Sequence, residues 1–242
     1  AFSMYFLFAY LLPLLYDPYF WTILIAIAIS SWASMNVNST FRRYGNVENH
    51  NGITGTEAAQ IIMSSVGIND VTIQPIAGSL TDNYNPQNKT LNLSEPVYNS
   101  TSVAAVGVAA HEVGHAIQDK VKYMPMSLRT ALVPIVNLGS NLAMPLILLG
   151  IIFGLNQTLI RIGIICFATV LVFQLATLPV EFNASSRALK QLRVTGILNE
   201  DELPMGRKVL RAAALTYVAA VLSSFLQLFH LLLLFGNNNR NN

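Results

Sequence analysis

The 242-residue chain is 53% hydrophobic and only 11% charged, with a mean hydropathy of +0.48 and a net charge of +2. Soluble domains carry about 25% charged residues, so the composition excludes an ordinary water-soluble protein and makes the lipid bilayer a partner. The small net charge, with no basic cluster interleaved with aromatics, speaks against a nucleic-acid partner, and the single cysteine, Cys166, rules out an intramolecular disulfide.

In chain order, residues 1–16 are apolar but short and broken by Pro13 and by Asp17-Pro18. They lack a basic leader and a cleavage site, which points to an extra half-span at the interface rather than a cleaved signal peptide. Pro18–Met35 is uncharged, with Tyr19 and Trp21 at one end and Trp32 at the other; this aromatic pattern predicts a first transmembrane helix, closing a segment 1–35. A polar linker follows over Asn36–Asn51. Thr54 and Glu57 form a capping-box pattern ahead of a short helix bearing Ala58, Ile61, Ile62 and Val66 on one face. Alternating residues over Asp70–Ser94 predict a small antiparallel sheet of two or three strands, and Ser100 or Thr101 is placed to cap the next helix.

That helix, Val103–Gln118, reads VAAVGVAAHEVGHAIQ. His111 and His115, four residues apart, lie one turn above each other on one face, so both imidazoles can reach one metal ion. Glu112 projects about 100° around from His111, where its carboxylate can take a proton from water at the metal. This is H-E-x-x-H, the zinc-peptidase signature. The surrounding apolar residues mark a core helix, in which imidazoles and a carboxylate are costly unless paired or metal-bound.

Residues 36–130 thus form one domain. After it, Ala131–Phe153 and Thr158–Val180 read as a membrane hairpin over 131–180, with Pro134, Asn137, Asn141 and Pro145 interrupting its first arm. Residues 181–209 form an amphipathic helix and a connection, 210–235 a fourth span, and 236–242 an asparagine-rich tail expected to be disordered. Twelve of the fourteen Lys and Arg residues lie between 42 and 129 or between 187 and 211. Both segments are on the motif side of the hairpin, so the positive-inside rule puts the motif in the cytoplasm. A catalytic zinc site needs three protein ligands and one open position. Glu181, flanked by Pro179, Val180 and Phe182 where the third span leaves the membrane, is a lone carboxylate that needs a partner. It is the expected third ligand, giving one zinc ion per chain.

With both halves in view, the chain resembles the membrane-bound neutral zinc metallopeptidases of bacteria, the YugP-like family. The carrying stretches are residues 80–118, 128–141, 178–189 and 208–228, together with the linker and ITGTEAA at 53–59. The resemblance implies a zinc-dependent endopeptidase of the bacterial plasma membrane. It makes His111, His115 and Glu181 zinc ligands and Glu112 the general base. The layout is also similar to the HtpX-type membrane proteases, in which the glutamate is followed four residues on by an aspartate that supports a zinc histidine. Here that position is Ser185, so Ser185 or Asn183 takes that supporting role.

The fold class expected is therefore membrane α-helical, with about four transmembrane helices and a small α+β, zincin-like (gluzincin) cytoplasmic domain. The partners expected are a peptide or membrane-protein substrate and the bilayer. Substrate is expected to add as a strand against an edge at Thr90–Ser94, beside Leu91, Asn92 and Leu93, and Arg187 and Tyr217 are the candidate oxyanion donors. The alternative is a catalytically inactive zinc-binding membrane adaptor or scaffold. Against it stand Glu112, which a pure binding module does not need, and the lack of the cysteines that structural zinc sites favour. A transporter is disfavoured by spans without intramembrane carboxylates.

Overall fold

The structure is a computed structural model that describes residues 17–236; the expectations for residues 1–16 and for the tail past Gly236 lie outside the described residues. Its elements are α1 (Phe20–Tyr44), α2 (Gly55–Ser65), β1 (Thr72–Ile76), β2 (Asn83–Asn85), β3 (Thr90–Ser94), α3 (Glu95–Tyr98), α4 (Val103–Lys120), α5 (Met124–Ile152), α6 (Gln157–Val194) and α7 (Leu203–Phe235). Four of them, α1, α5, α6 and α7, are long and apolar enough to cross a membrane. A helix suits that setting because every backbone group in its interior is satisfied within the segment.

These helices outrun the apolar stretches that announce them. α1 does not stop at Met35 but continues through the expected linker to Tyr44. Asn38 and Ser39 there turn their side chains back onto the carbonyls of Ser34 and Asn36, at 2.9 and 3.1 Å. α5 begins at Met124, inside the polar stretch before the hairpin. α6 joins the third span and the following amphipathic segment into one helix that passes through Pro179. A change from apolar to polar marks where the solvent changes, and a helix can run through that boundary. At the start of α7, the Asn199 side chain accepts from the backbone N–H groups of Asp201 and Glu202, at 3.0 and 2.9 Å, which is N-terminal capping.

The chain forms two compact units. One holds residues 17–32, Leu132–Gln174 and residues 218–236. Its helices meet through small and polar groups. A Cβ on Gly139 would strike the Thr169 side chain and come within 2.8 Å of the Cys166 carbonyl oxygen, and one on Gly163 would lie 2.9 Å from that of Ala143. Small residues at such contacts let helix backbones approach closely. Ser30 Oγ and Ser223 Oγ are 2.7 Å apart, and the Ser223 hydroxyl donates to the Ala26 carbonyl at 3.1 Å. His230 Nε2 and Asp17 Oδ2 pair at 2.5 Å. Ile27, Ile135, Leu138 and Ile165 remain exposed, as side chains facing lipid do.

The other unit holds Ala33–Ala131 and Leu175–Tyr217. α2 opens with the expected capping box: Thr54 Oγ1 accepts from the Glu57 N–H and the Glu57 carboxylate accepts from the Thr54 N–H. It packs on α4. The helix start of α4 falls at Ser102, not at Ser100 or Thr101: Ser102 Oγ accepts from the Ala105 N–H at 3.1 Å. The preceding residues are held extended, because Ser102 forms a β-bridge with Glu48 and the Thr101 carbonyl accepts from the Asn49 N–H.

The three-stranded sheet has the order β1-β3-β2 and is mixed, not wholly antiparallel. β1 runs parallel to β3 with Thr72 opposite Thr90, and β2 runs antiparallel to it with Asn83 opposite Asn92. This corrects the expected substrate edge at Thr90–Ser94, since β3 is the central strand. Leu91 and Leu93 are fully buried in the core, the Asn92 side chain donates to Asn83 Oδ1, and the Asp82 carboxylate accepts from both the Ser94 N–H and its hydroxyl. Burial of both leucines drives β3 to the centre, and the free edges belong to β1 and β2. The core around it is built from Ile62, Leu91, Leu93, Val97, Val106, Val113 and Leu192.

Candidate metal centre

α4 carries His111 and His115, and α6 carries Glu181 and Ser185, each pair one helical turn apart. The two pairs face each other because the helices touch between them. A Cβ on Gly114 would lie 2.5 Å from the Ala184 carbonyl oxygen and 3.1 Å from its Cα. Only hydrogen fits there, so Gly114 sets the spacing at which a carboxylate on α6 reaches imidazoles on α4.

The donor atoms of His111, His115 and Glu181 all lie within 4.8 Å of one another. Glu181 Oε2 is 3.1 Å from His111 Nε2 and 3.5 Å from His115 Nε2. Tetrahedral zinc with bonds of about 2.0–2.1 Å separates its ligand atoms by about 3.3–3.4 Å. Both Glu181–histidine separations suit such an ion, and two imidazoles with one carboxylate are a donor set that zinc takes.

Two side chains orient the imidazoles. Gln118 is fully buried, and its amide nitrogen donates to the Val180 carbonyl at 2.8 Å and to Asn183 Oδ1 at 3.0 Å. The Val180 carbonyl can only accept, so the amide oxygen must face His115 Nδ1, 3.0 Å away. His115 Nδ1 therefore donates to Gln118, which leaves Nε2 facing Glu181. His111 Nδ1 lies 3.1 Å from Ser185 Oγ, which leaves its Nε2 for the same point. Hydrogen bonding of the distal ring nitrogen is how ligating histidines are held.

Around this group the remaining sequence candidates take distinct positions. Glu112 is buried beside the two imidazoles, and burial pushes its carboxyl above the usual range, although the neighbouring histidines oppose the rise. For His115, burial acts to lower the imidazole, but its hydrogen bond to Glu181 and the Glu112 charge outweigh this and raise it. Tyr217 sits close to Glu181 and Glu112. Arg187 is occupied elsewhere: its Nε donates to Asn183 Oδ1 at 2.7 Å and its guanidinium stands over the Tyr123 ring at 5.8 Å. Asn183 thus supports Gln118 rather than a histidine directly.

Three participants escaped the sequence reading. Gln118 was legible only as the last residue of an apolar helix, although it lies three residues past His115, on the same face. Arg129 Nη1 stands 3.9 Å from Glu181 Oε1, on the oxygen turned away from the histidines. Gly114 lay inside the motif itself as the small residue between the two histidines. His50, by contrast, belongs to a separate pair: Glu202 accepts from its backbone N–H and contacts its Nδ1, at 2.7 and 2.8 Å.

Four membrane-length helices among the described residues and a His–His–Glu group able to hold a metal ion, beside a buried glutamate, are the parts of a membrane metalloprotein. The family described as "Putative neutral zinc metallopeptidase" matches residues 19–236, and the chain belongs to that family. It is 44% identical over 217 residues, 90% of this chain and 96% of the other, to the "Putative membrane protease YugP" of Bacillus subtilis (strain 168). No solved structure matches the chain.

Proposed function

We propose that the chain is a zinc-dependent endopeptidase of the cell membrane that cuts peptide bonds near the cytoplasmic surface, with a gluzincin-like arrangement of its catalytic domain. The observation that carries the reading is the meeting of His111, His115 and Glu181 with Glu112 buried beside them. His111 and His115 through Nε2, and Glu181 through its carboxylate, would hold one zinc ion. Bound there, zinc supplies Lewis acidity toward a scissile carbonyl and toward water.

The chain's own groups do the rest. Glu112 takes the proton of the attacking water and returns it to the leaving amine. Gln118 and Ser185 keep the two imidazoles turned inward, with Asn183 and Arg187 behind Gln118. Arg129 holds the outer oxygen of Glu181, and Tyr217, close to Glu181 and Glu112, would donate to the charge that develops on the substrate. The membrane setting favours loops or tails of membrane proteins as substrates.

The test is cleavage of an unfolded protein such as casein by the detergent-purified chain, beside Glu112→Gln and a chelated sample. Cleavage by the untreated parent alone is the expected outcome. A Glu112→Gln variant that cuts as well as the parent would sink the assignment of the base. Zinc bound at one per chain with no cleavage by any sample would favour the adaptor reading.

A further inference from the structure

Next to the His–His–Glu group, on the side reached by Ser185, α6 and α7 border a groove of about 520 Å³. Lys190, Arg193, Arg207 and Arg211 line it, and no carboxylate does. All four are exposed. Arg193 pairs with Glu200 at 3.2 Å, both side chains largely in solvent, while Lys190, Arg207 and Arg211 have no acidic partner among the described residues. Elsewhere in the same unit most cations are engaged: Lys89 and Lys122 on Asp119, Lys120 on two carbonyls, Arg129 on Glu181 and Arg187 on Asn183. Like charges gathered around one cavity repel unless an anion joins them. The groove's floor is apolar, with Phe182 and Leu210 among its residues.

We propose that this groove binds an anionic phospholipid, its phosphate among Lys190, Arg207 and Arg211 and the start of its acyl chains on the apolar floor. Position along the chain favours this occupant. α6 carries no charged residue from Ile162 to Val180, and its basic residues Arg187, Lys190 and Arg193 follow on the next turns after Glu181; α7 carries no Asp, Glu, Lys or Arg from Ala212 to Phe235, and its basic residues directly precede. Both walls of the groove therefore continue lipid-length apolar segments, at the level where helices meet headgroups. Basic pockets between membrane helices are established headgroup sites. A wholly soluble anion would gain nothing from the apolar floor, and one terminal carboxylate of a peptide would leave most of the cationic charge unmatched.

The test is native mass spectrometry of the full chain in neutral detergent, titrated with phosphatidylglycerol, phosphatidylcholine, inorganic phosphate and an acidic peptide with a free carboxyl terminus. One phosphatidylglycerol per chain is expected at concentrations where phosphatidylcholine stays unbound. The triple variant Lys190→Gln/Arg207→Gln/Arg211→Gln should weaken it about a hundredfold, whereas Arg42→Gln/Arg43→Gln/Lys122→Gln, with the same loss of three charges elsewhere, should not. The substituted side chains are exposed, and an unchanged thermal melt and zinc content verify the fold; should the triple variant melt early, the single variant Arg211→Gln with its smaller expected loss replaces it. Equal binding of phosphatidylcholine, or phosphatidylglycerol binding indifferent to these substitutions, overturns the proposal. Inorganic phosphate binding as tightly as the lipid would make this a free-anion site, and preferential binding of the peptide would make it a substrate exosite; either outcome overturns the lipid assignment.

Discussion

Gln118 has only one arrangement open to it. Its amide nitrogen is bound by a carbonyl and by Asn183, so its oxygen must accept from His115. A buried amide with all its partners satisfied is rigid, and its loss leaves His115 free to turn. Replacing it with leucine, similar in length but without polar atoms, should lower zinc affinity by about 10- to 100-fold while the helix stays intact. Competition with a chromophoric chelator measures this, and an unchanged affinity would remove Gln118 from the support of the site. For Glu181 the expected loss is larger: Glu181→Ala removes the carboxylate proposed as the third ligand and also leaves Arg129 without its partner. Retention of zinc by that variant through dialysis against chelator would reject Glu181 as a ligand.

At the scale of elements, the decisive contact is that of α4 with α6 at Gly114. Helix propensity alone favours alanine over glycine by about 1 kcal/mol. The methyl would nonetheless stand 2.5 Å from the Ala184 oxygen, and backbone cannot yield to it without parting the helices. Gly114→Ala is therefore expected to destabilise, by about 1–3 kcal/mol for an overpacked core position, and to loosen zinc binding. A denaturation midpoint above that of the parent would show that propensity wins and that the helices have room. The capping box of α2 is a milder case: Thr54→Ala should cost about 1 kcal/mol without touching the metal group.

At the scale of the whole molecule, two expectations concern solvent. Asp119 accepts from the Tyr84 hydroxyl at 2.9 Å and pairs with Lys89 and Lys122. Burial works to raise its carboxyl, but these partners hold it below the usual range, and burial with the same aspartate pushes the Tyr84 hydroxyl up to about 12. A carboxyl lowered by folding stabilises the fold above its unfolded value of about 3.9, and that stability is lost as pH falls through the lowered value. Glu202, which burial would raise but which Asn199 and His50 hold low, acts in the same direction. Melting temperature should thus fall on acidification below about pH 4, less steeply in Asp119→Asn; an identical acid slope in that variant would remove the cluster as a cause. The second expectation is orientation. With the basic residues on the motif side, a cysteine placed at Asn85 should react with a membrane-impermeant thiol reagent only after cells are opened. Labelling of intact cells would reverse the orientation proposed above.

What the sequence determined by itself is whatever local spacing and composition encode. His111 and His115 sit one helical turn apart, so their common face, with Glu112 about 100° around from His111, follows from 3.6 residues per turn. Four apolar stretches announce four membrane-length helices because lipid leaves a chain few alternatives. Glu181 was legible as a carboxylate out of place, though its meeting with the histidines spans some 70 positions of chain and depends on two helices touching. The tertiary structure alone decided that Gly114 permits that contact, that Gln118 and Ser185 set the imidazoles, and that Arg129 joins Glu181. It also decided that β3 lies at the centre of the sheet rather than at its edge. Each of these depends on which faces pack together, and such packing is set by long-range burial that no local pattern records.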